Sequence, residues 1–176
     1  MITTTFEEQL ARLIDLMPAH SNPGVGDSLG TQFPIRFNWG TIEKLDAFLV
    51  MPETGSKYPF IWLVEGKDNE NDQNETISRK SKIIIATQSL GVNRFNPEIY
   101  ATDYRDILNP IKNNFIKVLK SSGISILNPE YTVNRVKDFK WNEKGEGIAD
   151  VWNVIIIEAE ITFNVEHNRC LNTIKF

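Results

Sequence analysis

The chain has 176 residues, of which 41% are hydrophobic and 24% are charged, and its formal net charge is −4 at pH 7. These values predict one folded, soluble domain and exclude a disordered chain. They also exclude a membrane-spanning helix, because no apolar run approaches the roughly 18 residues that such a helix needs. The acidic balance argues against sequence-independent DNA binding, which requires many lysines and arginines. The single cysteine allows no internal disulfide, and the N-terminus lacks the pattern of a signal peptide, so an intracellular origin is expected.

The first predicted element is an amphipathic helix near the N-terminus. Its apolar residues recur at helical spacing, and they are Phe6, Leu10, Leu13, Ile14 and Met17. Thr5 and Glu8 have the spacing of a capping box, and Pro18 ends the pattern. The glycines and prolines of residues 19–31 then predict a loop.

Short strands are predicted in the next part of the chain. Apolar and β-branched residues bounded by turn signals place them at residues 33–39, 45–51 and 58–64. Residues 65–75 are almost wholly polar and acidic, and residues 77–89 carry a run of isoleucines that indicates a buried strand. The last two segments together predict a hairpin with a long polar tip.

A second helix is predicted at residues 110–122. Asn109 is a suitable cap and Pro110 suits the first helical position. Residues 91–104 before them are expected to be irregular, with a short turn of helix near residues 97–100. The lysines of this helix are expected to form a solvated face rather than a DNA-binding patch, and they are Lys112, Lys117 and Lys120.

The last two strands, at residues 131–141 and 151–164, form a predicted ribbon joined by the loop 142–150. The odd positions of 151–164 are apolar nearly throughout. The even positions are apolar in the first half and polar in the second, which predicts that one half is buried on both faces and the other half on one. An apolar strand of this length on a free edge would favour aggregation. We therefore expect a helix of the same chain, a neighbouring copy or both to cover it.

The same strand supplies the predicted interface. We expect contact with a neighbouring copy at six of its residues, which are Val151, Trp152, Val154, Ile156, Glu158 and Glu160.

One pattern favours an enzyme instead. Asp46, followed by Glu65 and Lys67 around Gly66 at the end of a strand, resembles the core of restriction-endonuclease-like nucleases, in which such residues bind a divalent metal and activate water. That core requires a helix after its third strand, whereas residues 83–87 are typical of a strand. The interpretation that we favour is a strand end with solvated charges and no catalytic residues, and the nuclease remains the alternative.

Metal and cofactor sites are not expected. The acidic run 68–72 alternates like a calcium-binding loop, but Gln73 stands where glycine is required and Arg79 where the bidentate glutamate should be. His167 and Cys170 are two zinc ligands without a second pair.

The order of these elements resembles that of the tail-terminator and neck-completion proteins of tailed phages, including the neck ring proteins of crAss-like phages. The resemblance covers residues 3–164, and residues 152–161, which read Trp-Asn-Val-Ile-Ile-Ile-Glu-Ala-Glu-Ile, are similar to the final strand of that family. It implies an α+β fold with a mostly antiparallel sheet backed by two amphipathic helices. Residues 1–165 would form the single domain and residues 166–176 a C-terminal tail.

The resemblance also implies a structural function without catalysis. Copies of the chain would form a six- or twelve-fold ring in the virion neck, after synthesis in the host cytoplasm. The ring would contact adjacent neck, portal or tail proteins, and the genome would pass through it without specific binding. The insert 91–106 and the tail 166–176 depart from the family pattern.

Overall fold

The structure is a computed structural model that describes residues 4–18, 20–21, 32–33, 35–50, 58–89, 96–139 and 152–164. Within them the fold is α+β, with a mostly antiparallel sheet of seven strands, as the sequence predicts. Val151, the loop 142–150 and the tail 166–176 lie outside the described residues, so the predictions made for them stay predictions.

The bounds of the elements in the described part of the chain are as follows. The strands are β1 His20–Ser21, β2 Gln32–Phe33, β3 Arg36–Gly40, β4 Phe60–Val64, β5 Asn69–Asn71, β6 Thr76–Gln88, β7 Ser125–Leu127, β8 Thr132–Phe139 and β9 Trp152–Asn164. The helices are α1 Phe6–Ile14, α2 Ile42–Val50, α3 Asn96–Ile99, the π-helical segment Tyr100–Leu108 and α4 Asn109–Ser121.

The sheet is organised around the long pair β6 and β9. These two strands pair antiparallel from Thr76 with Asn164 to Gln88 with Trp152. On the outer side of β6 lie β4 and β5, and on the outer side of β9 lie β7 and β8, all antiparallel. The predicted hairpin between 58–64 and 77–89 and the predicted ribbon at the end of the chain are therefore confirmed. Only β3 pairs parallel, with β4, after the crossover through α2.

One face of the sheet, which we call the helical face, carries the odd positions of β9 and the main core. α1 and the helical run from α3 to α4 cover it, and they bury Ile155, Ile157 and Ile161. Phe6 of α1 meets Phe163 of β9 edge to face, with ring centroids 4.9 Å apart. The predicted capping box of α1 is present, because the Thr5 hydroxyl accepts from the Glu8 backbone. These contacts bury the apolar stripe of each helix against the isoleucines of the sheet, which is the main source of stability here.

The opposite face carries the even positions of β9, and we call it the split face. Under α2 it holds a second apolar cluster, which consists of Leu45, Phe60, Trp62, Ile84, Ala86, Trp152, Val154 and Ile156. Beyond that cluster the even positions of β9 change to exposed or half-buried polar residues. The division of this face between a buried and an open half, predicted from the sequence, is confirmed.

The strand predicted at residues 45–51 is wrong, because Ile42–Val50 forms the helix α2. The Lys44 backbone donates to the Thr41 hydroxyl at 3.3 Å, which satisfies a free N–H of the first turn. Leu45 and Phe48 then point from one side of the helix into the second cluster. A short apolar run fits either periodicity, and here the cap and the crossover between two parallel strands select the helix.

The short turn of helix predicted near residues 97–100 is confirmed as α3, but the rest of the described segment, predicted as irregular, is helical too, so that prediction is wrong. The chain is helical from Asn96 to Ser121, and its middle is π-helical from Tyr100 to Leu108. Asn109 is not the N-cap predicted for the second helix, since its own N–H donates to the Tyr104 carbonyl five residues earlier and continues the helical run. Pro110 follows directly on this wider turn, where the missing N–H and the ring of proline disturb the helix less than in a regular α-helix.

Gly40 ends β3 with a backbone angle φ of +148°. Residues that carry a Cβ rarely adopt this backbone conformation. A Cβ there would lie 2.8 Å from Cδ of Lys44. The carbonyl oxygen of Gly40 accepts hydrogen bonds from the Glu65 backbone N–H at 3.0 Å and from Nε1 of Trp62 at 3.3 Å. We expect Gly40→Ala to lower the free energy of unfolding by about 1–2 kcal/mol, measured by urea denaturation.

The matched control for that substitution is Gly66→Ala. A Cβ at Gly66 would lie 3.3 Å from Cδ of Arg79, a side-chain atom, and the backbone of Gly66 is not in the left-handed region. The loss should therefore be smaller than for Gly40→Ala. Equal losses would show that backbone conformation at Gly40 is not the cause.

Candidate assembly surface

The predicted interface residues of β9 fall into two groups. Trp152, Val154 and Ile156 are buried beneath α2 in the second cluster, so this chain covers them itself. Glu158 is exposed and Glu160 half-buried on the open half of the split face. Because β9 has neighbours on both sides, it is an inner strand rather than a free edge.

The open half of the split face carries paired opposite charges, which we call the charge ladder. Lys80 lies opposite Glu160 and Lys82 lies opposite Glu158 across β6 and β9. Such cross-strand pairs stabilise a sheet weakly and keep it hydrated. The ladder borders a shallow depression of about 420 Å³. Near it, Ile126 of β7 leaves 68% of its surface exposed, so an apolar group stands beside the polar ladder.

A second charged feature is the end of the β5–β6 hairpin, residues 69–75, which we call the acidic tip. It holds Glu70, Asp72 and Glu75 and has no lysine or arginine. The side-chain oxygen of Asn71 accepts from the backbone N–H groups of Gln73 and Asn74, at 3.1 and 3.2 Å, which fixes the turn. Every residue of the tip is exposed or half-buried. The tip therefore presents three carboxylates on an ordered turn.

A third feature, which we call the basic seam, lies where α4 and the helical run before it pack beside β8. It consists of Lys112, Lys120, Arg135 and Lys137.

Neutral groups hold these cations in place. Nη2 of Arg135 donates to Oδ1 of Asn109 at 3.3 Å, and Nζ of Lys137 donates to Oδ1 of Asn96 at 2.6 Å. Lys137 also lies 5.5 Å from the ring centroid of Tyr100, and Lys120 lies 5.6 Å from that of Tyr131. These contacts orient the cations without neutralising them.

No seam cation is paired with a carboxylate within the described ranges. The electrostatics at Lys112 reflect this: burial and the nearby charge of Arg135 both lower its pKa. Two like charges held together without a counterion favour an anionic partner. The sequence predicted only a solvated face for the α4 lysines. The pair of cations on β8, Arg135 and Lys137, interrupts the apolar pattern of that strand; the sequence predicts from this only a half-exposed strand, although the same pair is the signal for the seam.

The residues of the nuclease alternative do not lie as that interpretation requires. Asp46 belongs to the helix α2 instead of a strand. Glu65 and Lys67 follow β4 and are exposed. Gly66 between them passes close to the aliphatic part of Arg79, which gives the small residue a packing reason. The first acidic residue thus loses the strand position on which the resemblance to the nuclease core depended.

In the described portion of the chain, no group of three or more histidine, cysteine, aspartate or glutamate residues is arranged to hold a metal ion. His167 and Cys170 lie outside that portion. The helices described here are also too short or too polar to cross a membrane.

Comparison with known proteins adds no family to these observations. No protein-family model matches the chain, and no curated protein matches its sequence.

Proposed function

We propose that this chain is a structural subunit of a ring in the neck of a tailed phage, where copies of it join head and tail around the DNA channel. The observation that carries the proposal is the divided split face of β9, buried under α2 in one half and open in the other. A strand pair that extends past its own covering helix is a stiff element with surface left for neighbours. In the virion those neighbours would be further copies and adjacent neck, portal or tail proteins.

The edges of the sheet support the same proposal. Among the described strands, β3 pairs only with β4, and β8 pairs only with β9. Trp39 on β3 is 45% exposed, and aromatic residues are enriched where proteins meet. Two different free edges at opposite ends of one sheet suit a head-to-tail contact, which closes into a ring when its rotation permits.

The charge of the chain suits a channel through which DNA passes. With 19 lysines and arginines against 23 aspartates and glutamates, the subunit has a net charge of −4, which disfavours tight binding to the phosphates of DNA. A wall of such subunits would allow the genome to slide instead of binding it.

Mass measurement tests the proposal directly. We expect the purified chain, alone or coexpressed with the products of its neighbouring genes, to form a closed oligomer of six or twelve copies in native mass spectrometry. Negative-stain electron microscopy should show rings with a central channel.

Two outcomes would contradict this function. A chain that stays monomeric alone and with every neighbouring gene product would not be a ring subunit. Magnesium-supported DNA cleavage that is lost in Glu65→Ala and in Lys67→Ala would instead establish the nuclease alternative with Asp46.

A further inference from the structure

We infer that the acidic tip of one copy binds the basic seam of the next copy, and that this contact links the subunits head to tail. The inference rests on the proposed function, because it names the surfaces through which the ring would assemble.

The two surfaces cannot meet within one chain. Thr76, next to the tip, pairs with Asn164, whereas Arg135 of the seam pairs with Ile155, so nine positions of β9 separate them. At about 3.3 Å per residue this is roughly 30 Å along the strands. The order β5, β6, β9, β8 adds three strand spacings, or about 14 Å, across the sheet. Tip and seam therefore occupy opposite corners of the described sheet, and they can meet each other only between two molecules.

Their charges are complementary. The tip offers three carboxylates with no cation among residues 69–75, and the seam offers four cations with no carboxylate partner in the described chain. Each surface is an incomplete half of an ion-pair cluster, in contrast to the charge ladder, where lysine and glutamate already face each other. In a contact between tip and seam, the carboxylates could accept hydrogen bonds from the guanidinium of Arg135. The tip would also pack against Tyr100, which is 46% exposed.

The geometry of the tip favours a protein partner over nucleic acid. Asn71 fixes the turn, and the β5–β6 hairpin carries it past Asn164, the last described residue of β9, so the carboxylates stand on a defined turn. The seam holds only four cations, and the exposed acids Glu130 and Asp138 lie beside them on the chain. A nucleic acid backbone would meet these acids, whereas a narrow acidic turn can reach the cations between them.

Symmetry then determines what the contact builds. Tip and seam are different surfaces, so the contact is heterologous and leaves one free tip and one free seam on every dimer. Addition continues until a ring closes or a filament grows.

Charge reversal on each surface tests the inference. The tip variant is Glu70→Lys with Asp72→Lys, and the seam variant is Arg135→Glu with Lys137→Glu. We expect either variant to raise the dissociation constant of self-association about tenfold or more, measured by sedimentation velocity. Wild-type association should weaken as salt rises, because exposed charges are screened beyond about 10 Å at 0.1 M.

A mixture of the tip variant and the seam variant is the stronger test of the inference. The two variants, each defective alone, should assemble together, since the reversed tip of one meets the reversed seam of the other. Lys44→Glu on α2 and Asp15→Lys after α1 are matched controls at exposed positions away from both surfaces, and they should assemble like the wild type. Lys112→Glu is the second seam variant if the first does not fold by circular dichroism.

Each result separates the inference from the proposed function. Oligomers that form normally in both variants, or a mixture that stays dissociated, would overturn the inference and leave the ring proposal standing. The wild type could instead form open chains that each charge-reversal variant fails to form and that the mixture of the two variants forms again. That result would support the contact between tip and seam and contradict the closed ring. Monomers in every sample would overturn both. A seam that binds a short DNA duplex, while tip reversal leaves self-association unchanged, would assign the seam to nucleic acid instead.

Discussion

Replacing Asn153 with alanine is expected to lower the free energy of unfolding by about 3 kcal/mol. Asn153 is fully buried on the helical face at the start of β9. Its Nδ2 donates to Oδ2 of Asp103, which is buried on the π-helical segment, and its Oδ1 accepts from the backbone N–H of Asp138 at 3.1 Å. Alanine would leave a buried carboxylate without this donor and a backbone N–H without its acceptor. Both losses cost more than the hydrogen bonds themselves contribute.

The same side chain holds an irregular stretch of β8 in place. The pairing of β8 with β9 shifts between Val136 and Phe139, and Asp138 has a positive φ of 50°. Since an L-residue adopts this conformation only when its surroundings require it, the bond from Asp138 to Asn153 is part of what maintains the bulge. Asn153→Ala should therefore also loosen the edge strand that carries Arg135 and Lys137.

A double-mutant cycle in urea identifies the cause. If the pair acts as a unit, Asn153→Ala and Asp103→Ala together should cost clearly less than the sum of the two single substitutions. Asn134→Ala is the matched control, because Asn134 lies on β8, the strand that pairs with β9, and is exposed. Additive losses in the cycle would show that the contact between Asp103 and Asn153 is not the source of the effect.

The parts of the fold that sequence predicts well are those in which side-chain period and burial agree. In β9 the odd positions are apolar except for Asn153, and the even positions change character between Ile156 and Glu158; both patterns reappear as burial. In α1 the stripe from Phe6 to Ile14 has a capping box before it, so spacing and cap indicate the same element. Each of these signals is local, and tertiary packing reinforces it.

The parts that sequence predicts poorly depend on contacts between distant segments. The run around Leu45 is short and apolar enough for a strand or a helix, and only the parallel pairing of β3 with β4 requires a crossover there. The helical run through Pro110 packs against β6 and β9, which come from distant parts of the chain. The basic seam joins residues of α4 and β8 that lie 15 or more positions apart in the chain, and the bond from Arg135 to Asn109 spans 26 positions. No periodicity within one element reveals such a cluster.

Arg79 is the clearest case of a residue that the sequence presents as incidental and the structure places at a junction. It is 3% exposed on β6. Its Nη1 lies 2.7 Å from Oε1 of Glu7 on α1, and its Nε lies 2.5 Å from Oδ1 of Asp68. The guanidinium carbon is 4.5 Å from the ring centroid of Phe6. Burial acts to lower the pKa of Arg79, but the carboxylates of Asp68 and Glu7 outweigh it and raise that pKa above its ordinary value.

We expect Arg79→Met to lower the free energy of unfolding by about 2–3 kcal/mol, which is close to the loss expected for Asn153→Ala. Methionine keeps the aliphatic packing but leaves two carboxylates without their cation. The loss stays below that of a fully buried ion pair, because Glu7 and Asp68 are 14% and 25% exposed and can recover some hydration. The pKa of Arg79 is higher in the folded protein than in the unfolded chain. Its contribution to the free energy of unfolding is therefore fully present below the unfolded-state pKa and is lost only as the pH rises through the folded-state pKa. The effect should therefore be equal at about pH 6 and about pH 8.

The matched control is Arg105→Met, which removes an arginine of the same kind from a setting without burial. Arg105 is 72% exposed and pairs with Asp106, its neighbour in sequence, with Nε 2.6 Å from Oδ1. Because solvent screens such a pair, its loss should leave the urea midpoint unchanged within error. Hydrogen exchange gives a second measurement: Arg79→Met should release α1 in particular, since Glu7 and Phe6 connect that helix to β6. Unchanged protection in α1, or equal effects of the two substitutions, would mean that packing of the apolar stripe alone holds α1 on the sheet.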